Sequence, residues 1–363
     1  MTTVQRIHNF AAGPAVLPLP VLEQIQRDLI ALPGVGMSIL EISHRSKTFE
    51  SILEKAEADI RALASIPSNY HVLFLQGGAS TQFSMVPMNI LTSGATADYV
   101  DTGSWAEKAI KEAKKVGNVN IVGSTKADSY SRIPAQSELN LTKGAAYVHI
   151  TSNNTIEGTE FKQLPDVGDA PLVNDTSSDM FSRPIDVSRH AIIYAGAQKN
   201  MGPAGVTVVI IRDDLLARSQ KSLPTMLNYS VHAENKSLYN TPPAFAVYAL
   251  GLVMQWLRDK GGLAAIANVN ERKAAKLYAE IDRTGFYRGH AAKDSRSRMN
   301  VTFRLPSEEL EQQLVKEATA AGLDGLKGHR SVGGIRASIY NAFPEEGIDA
   351  LVDFMKAFEK KHG

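Results

Sequence analysis

A-I-I-Y-A-G-A-Q-K-N-M-G-P-A-G-V-T-V-V-I-I, residues Ala191 to Ile211, sets two apolar runs on either side of a stretch of small residues that holds one lysine. Neither run alternates polar with apolar, as a strand with one wet face would, so both read as strands covered on two faces. Only a glycine-rich turn separates Ala195 from Val206, which suits an antiparallel pair.

Similar short runs precede this pair: V-L-F-L (72–75), A-D-Y-V (97–100), V-N-I-V (119–122), A-Y-V-H-I (146–150) and P-L-V-N-D (171–175). All read as buried strands. Helical patterns such as S-W-A-E-K-A-I-K-E-A-K-K-V (104–116) lie between several of them, so the expectation is an α/β fold with a mainly parallel sheet of seven strands. Ligands in such sheets bind outside the carboxyl ends of the strands. After Thr241-Pro242-Pro243 an apolar segment and a helical run to about Asp282 form a connector. Strand 299–305, helix 307–318, strand 331–339 and a last helix from Glu345 then make a smaller α+β unit, with the boundary near Lys260-Gly261-Gly262.

At 363 residues the chain is long enough for two such units. With 39 basic and 38 acidic residues it gives no reason to expect nucleic acid or an anionic membrane as partner, and any anion site has to come from a local cluster. The first ten residues lack the apolar core of a signal peptide, and no run approaches the roughly 18 apolar residues of a membrane span, so the expected location is the cytoplasm. Cysteine is absent, which removes disulfides, thiolate metal sites and cysteine nucleophiles.

Lys199 follows the strand 191–195 by a few residues. It reads either as a charge on a surface turn or as an amine whose pKa is lowered by burial and which condenses with a carbonyl compound. Other strand ends bear on the choice. Asp175, ending P-L-V-N-D, is either a helix N-cap or the acid that keeps a pyridinium nitrogen protonated, as pyridoxal phosphate requires to act as an electron sink. Q-G-G-A-S-T-Q-F (76–83) joins a strand to a helix through two glycines, a loop whose amides suit a phosphate; it is neither a Walker A motif nor G-x-G-x-x-G. Trp105 in T-G-S-W is core or a stacking plane, and Thr155 in T-S-N-N-T-I-E-G caps a turn or meets a ring oxygen. Four strand ends thus offer groups for phosphate, ring face, ring nitrogen and aldehyde.

With these motifs the chain resembles the phosphoserine aminotransferase branch of the class V, fold type I, pyridoxal-phosphate enzymes. The likeness spans nearly the whole sequence and rests further on N-F-A-A-G-P-A (9–15), G-M-S-I-L-E-I-S-H-R-S (36–46), S-R-P-I-D-V-S-R (182–189), S-L-Y-N-T-P-P (237–243) and G-L-K-G-H-R-S-V-G-G-I-R-A-S (325–338). It implies a large cofactor-binding domain of residues 16–260 and a small domain of 1–15 with 261–363. It implies one pyridoxal 5'-phosphate per subunit in a Schiff base with Lys199, Asp175 at the ring nitrogen, Trp105 on the ring face and Thr155 near the ring hydroxyl. Ala79, Ser80 and Gln198 would cradle the phosphate, with Asn240 and Thr241 reaching it from the partner of a homodimer. The implied substrates are L-glutamate and 3-phosphohydroxypyruvate, giving 2-oxoglutarate and O-phospho-L-serine, with 4-phosphohydroxy-L-threonine as a second substrate in vitamin B6 synthesis.

Arginine forks suit carboxylate and phosphate, so His44, Arg45, His329, Arg330 and Arg336 are either solvated charges or the substrate anions' partners. By resemblance Arg336 takes the α-carboxylate and the other four the distal anion. Two positions depart from the pattern: Ser80 stands where some relatives carry arginine, and Asn154 where an acid is expected. A cysteine desulfurase is excluded by the missing thiol, an alanine–glyoxylate transaminase would not need the second cationic cluster, and a non-catalytic relative would be expected to lose Lys199 or Asp175.

Overall fold

The computed structural model describes residues 6–363; residues 1–5, which open the expected small domain, lie outside the described residues. Seven strands form one sheet in the order Tyr70–Leu75, Thr207–Arg212, Ile192–Gly196, Leu172–Asp175, Val148–Thr151, Thr96–Asp101, Asn118–Ser124. Thr207–Arg212 runs antiparallel to both of its neighbours, as the short glycine-rich turn requires, and the remaining pairings are parallel.

Because successive side chains in a strand point to opposite faces, the unbroken apolar runs feed two cores. Ile193, Ala195, Val208 and Ile210 pack with Phe49, Ile60, Val247 and Leu250 of helices Lys47–Ala64 and Ala244–Asp259. Ile192, Tyr194, Val209 and Ile211 face the opposite way, toward Phe83 and Ile110 of helices Gly78–Ile90 and Ser104–Ala113. Each fully buried large apolar side chain contributes about 1.5–3 kcal/mol, so a sheet covered twice is held far more firmly than one with a wet face. Helix Lys47–Ala64 starts on Ser46, whose hydroxyl accepts the Phe49 amide at 3.2 Å, and stops where Ser65 turns left-handed.

The strand expected at 119–122 is present, but it is the sheet's edge and is largely exposed rather than buried. Its valine and isoleucine reflect β-propensity, which an edge strand uses as readily as a central one.

Beyond helix Gly262–Ile281, strands Arg288–Gly289, Asn300–Arg304 and Ile335–Ser338 form an antiparallel sheet. It shares a core with helices Glu308–Ala320 and Glu345–His362. The strand expected at 331–339 begins only at Ile335, because Gly333 and Gly334 take positive φ values of 74° and 69° and make a turn. The N-terminal strand His8–Asn9 pairs in parallel with Leu323–Asp324, and Phe10 packs at a tilt against Phe343, ring centres 4.4 Å apart, within the same core. Among the described residues no helix is long and apolar enough to cross a membrane.

Candidate active site

Three central strands end side by side: Thr151 is the register partner of Asp175, and Asp175 of Tyr194. The next strand outward leads through Thr102-Gly103 into helix Ser104–Ala113, so Trp105 arrives at the same edge. The antiparallel placement of Thr207–Arg212 brings the carboxyl end of Tyr70–Leu75 to that edge as well. A cavity of about 390 Å³ opens there, lined among others by Gly77, Ser80, Trp105, Thr155, Asp175 and Lys199.

One wall is an anion cradle. Gly77 and Gly78 have φ of 92° and 63°, and a Cβ on Gly77 would lie 2.0 Å from the Thr81 hydroxyl, so this turn needs glycine. It delivers the chain into helix Gly78–Ile90 with the Gly78, Ala79 and Ser80 amides free of intrahelical partners. Gln198 also lines the cavity, and a Cβ on Gly196 would sit 3.7 Å from the Ala79 amide, so the lysine-bearing turn abuts the cradle.

Lys199 is partly exposed and lines the cavity. Its amine donates to the Thr155 hydroxyl at 2.5 Å and lies 5.4 Å from the centre of the Trp105 ring. Burial pulls its pKa down to about 8, against the attraction of Asp175 and with help from Arg336. Desolvation is the dominant cause and is what turns an ammonium into a usable amine. Asp175 is 4% exposed. Burial raises its pKa, while hydrogen bonding by Ser177, including the Ser177 amide on Oδ1 at 2.9 Å, and the nearby Lys199 oppose the rise. The Ser177 hydroxyl in turn accepts the Gly196 amide at 3.1 Å, which ties the acid's loop to the strand that carries the lysine.

The substrate candidates divide into two groups. Arg336, on strand Ile335–Ser338, has a buried Nε without a partner. Burial works against its charge, with Tyr340 and Glu157 opposing. The pKa of His329 is lowered by burial and then by the charges of Arg336, Lys108 and Arg330, so three cations share one region with this imidazole. Lys108 also sits 3.8 Å over the Trp105 ring; its i+3 spacing from Trp105 was legible in the sequence and went unused. His44 and Arg45 lie instead in the turn before helix Lys47–Ala64, and none of the five substrate candidates, Arg336, His329 and Arg330 included, lines the cavity itself. Asn240 and Thr241 do not line it either, although Gln76 donates to the Thr241 carbonyl at 3.1 Å behind the cradle.

Several residues of the site carried no recognisable signal. Asn153, Ser177 and Ser178 complete its walls. Asn154, where an acid was expected, donates to the Thr102 and Thr159 hydroxyls at 3.1 and 3.2 Å, which a carboxylate could not do. Below the floor His149 meets the Tyr194 hydroxyl at 2.7 Å and stacks on Tyr99.

The residues present fit pyridoxal phosphate. The free amides suit its phosphate, the buried acid its ring nitrogen, and the lysine its aldehyde. Trp105 Nε1 and Thr151 Oγ1, both on cavity-lining residues, are buried without protein partners, as expected of a wall completed by a polar ligand.

Residues 7–351 match the model of the aminotransferase class-V family. The phosphoserine aminotransferase of Herpetosiphon aurantiacus is 55% identical over 98% of this chain and 99% of its own length. The structure of the phosphoserine aminotransferase from Bacillus circulans subsp. alkalophilus superposes with a TM-score of 0.97 at 53% identity, covering 99% of this chain and 100% of that one. The PLP-bound phosphoserine aminotransferase of Trichomonas vaginalis gives 0.93 at 40% identity over 97% and 100%. By these matches the chain belongs to the aminotransferase class-V family of pyridoxal-phosphate-dependent transaminases.

Proposed function

We propose that this chain transfers the amino group of L-glutamate to 3-phosphohydroxypyruvate, giving 2-oxoglutarate and O-phospho-L-serine, reversibly and by a ping-pong course, as a step in L-serine synthesis. It would work as a cytoplasmic homodimer and also accept 4-phosphohydroxy-L-threonine. The observation that carries the reading is full-length identity above one half to relatives named for this activity, on a chain that keeps the lysine, the acid and the cationic cluster.

Bound pyridoxal phosphate supplies an aldehyde that exchanges amines and a ring that holds an electron pair. The chain's residues supply the rest. Ala79 and Ser80 amides and Gln198 would hold the phosphate, Trp105 would cover the ring, and Asp175 would favour a protonated ring nitrogen. Lys199 Nζ, whose lowered pKa leaves a usable fraction of free amine, would take the proton from the substrate α-carbon and hand it to the former aldehyde carbon, and would run the same transfer backward in the second half. Thr155, which the amine contacts at 2.5 Å, holds Lys199 at that position. Arg336 binds the α-carboxylate, and His329 and Arg330 the distal anion, so both substrates fit one set of cations.

His44, Arg45, Asn240 and Thr241 act in this reading from the partner subunit. The reading is supported by exposed apolar side chains in the preceding stretches of chain: Ile30, Leu40 and Met37 are 86%, 64% and 45% exposed, and Tyr239 is 47% exposed. Such side chains are covered in an interface more readily than left in water. The division into 16–260 and 1–15 with 261–363 belongs to the same proposal, and the shared core of Phe10 with the C-terminal helices supports it.

A coupled assay of glutamate with 3-phosphohydroxypyruvate, run beside pyruvate and glyoxylate, tests the substrate. The expected outcome is turnover at least tenfold better with the phosphorylated acceptor, a difference of about 1.4 kcal/mol. Equal turnover with glyoxylate would overturn the assignment.

A further inference from the structure

We infer that Glu157 is a positioning residue that holds the Trp105 ring and the Arg336 strand in register with the loop carrying Thr155. The inference rests on the proposed stacking role of Trp105 and concerns a residue outside the set assigned above.

Glu157 is 1% exposed. Its Oε1 accepts both the Ser104 amide at 2.8 Å and the Ser104 hydroxyl at 2.6 Å. Ser104 opens the helix whose next residue is Trp105, so a carboxylate from another loop does the work of an N-cap there. The Glu157 carbonyl accepts the Thr302 hydroxyl at 2.9 Å, and Thr302 is the cross-strand partner of Arg336. The neighbouring Gly158 closes the turn by donating to the Asn154 carbonyl at 2.8 Å, and its own carbonyl takes the Ser297 amide at 2.9 Å. A Cβ on Gly158 would lie 2.4 Å from Thr302 Oγ1, so the loop and the strand touch backbone to side chain with no room to slide. Two residues before Glu157, Thr155 receives the Lys199 amine.

Three parts of the site therefore meet at one turn: the aromatic plate through the Glu157 side chain, the arginine strand through its carbonyl, and the lysine through Thr155. The remaining oxygen, Oε2, is buried without a partner, and a Cβ on Gly103 would stand 2.6 Å from it. A buried carboxylate with half its acceptor capacity unused is costly. A simple helix cap would not require it, since Ser, Thr or Asn does that work without burying charge.

The two arms of Glu157 are separable. Cofactor affinity is read by quenching of Trp105 emission on titrating pyridoxal phosphate into the cofactor-free protein, in a Trp256→Phe background that leaves Trp105 as the only tryptophan. Glu157→Ala is expected to weaken binding about tenfold and to reduce the quenching at saturation, whereas Glu157→Gln, whose amide oxygen still accepts from Ser104, stays within about threefold of wild type. Thr302→Val cuts only the second arm. It should raise the KM for both amino donor and keto acceptor about fivefold while cofactor affinity is unchanged.

Trp105→Ala removes that fluorophore, so it serves as the reference with cofactor affinity for it and for Glu157→Ala measured side by side by equilibrium dialysis. If it weakens cofactor binding and Glu157→Ala does not, the inference is wrong; if Trp105→Ala has no effect, the stacking assignment itself is wrong. Should Glu157→Ala fail to fold, Ser104→Ala reads the same contact from the other side. A weakening of about threefold there supports the inference, and wild-type affinity overturns it.

Discussion

Replacing His149 with phenylalanine probes the floor beneath the cavity, and its effect should change with pH in a defined direction. His149 is 1% exposed, stacks on Tyr99 with ring centres 4.7 Å apart, and shares a 2.7 Å hydrogen bond with Tyr194. Burial pulls the imidazole down from 6.5 to about 3. Below pH 6.5 the unfolded chain therefore binds a proton that the folded protein refuses. Stability contributed by this group is present above that pH and is lost as pH falls toward 3. The loss approaches about 1.4 kcal/mol per pH unit, or about 2 kcal/mol between pH 6.5 and 5. Phenylalanine keeps the stack but strands the Tyr194 hydroxyl, a cost of about 1–3 kcal/mol for a buried unpaired group. Near pH 7 the variant should thus be the less stable protein by that amount. Near pH 5 the wild type has given up about 2 kcal/mol that the variant cannot lose, and the two should be close to level. Urea unfolding of the cofactor-loaded protein, followed by circular dichroism at fixed protein and cofactor concentrations, measures the difference at each pH. A stability gap of the same size at both values would refute the claim that His149 is held neutral in the fold.

Three further outcomes follow from the cavity. Because burial brings Lys199 to about 8, the rate at which cofactor-free protein takes up pyridoxal phosphate should rise with pH and level off with a midpoint near 8. Asp175→Asn, by removing the charge that opposes the shift, should move that midpoint lower, and stopped-flow absorbance decides both points. Gly77→Ala places a methyl group against the Thr81 hydroxyl at a φ of 92°, so cofactor affinity measured by equilibrium dialysis should fall about tenfold or more, the equivalent of 1–3 kcal/mol of strain. Arg336→Ala should raise the KM for both substrates, while Arg330→Ala should penalise glutamate and the phosphorylated acceptor more than alanine; equal penalties across all three would remove Arg330 from the distal site.

Much of the fold was legible because the central strands are apolar without alternation, a pattern that only two covering layers can satisfy. The same pattern misread the burial of 119–122: a β-branched run says that a segment suits a strand but not whether a second strand lies beyond it. Gly333 and Gly334 shortened the last strand for a reason visible in principle, since two adjacent glycines favour a turn over a ladder. Lys199, Asp175, Trp105 and the Gly77-Gly78 turn were found because each follows a strand end. Glu157 and His149 were not, since one is an acid in a loop and the other a histidine inside an apolar run, and neither position is unusual until its neighbours are known.

The sequence by itself determined the layered α/β architecture and the residue types at the strand ends, because periodicity and turn chemistry act over a few residues. Tertiary structure alone decided which of those ends converge. Thr151, Asp175 and Tyr194 became neighbours through register, and Thr207–Arg212 inserted antiparallel brought the Gly77-Gly78 turn up to the edge that Lys199 follows. It also set the protonation behaviour of the site, since Lys199 and His149 owe their lowered pKa values to desolvation by residues distant in the chain. Burial is a property of the packed molecule, and no local stretch of sequence contains it.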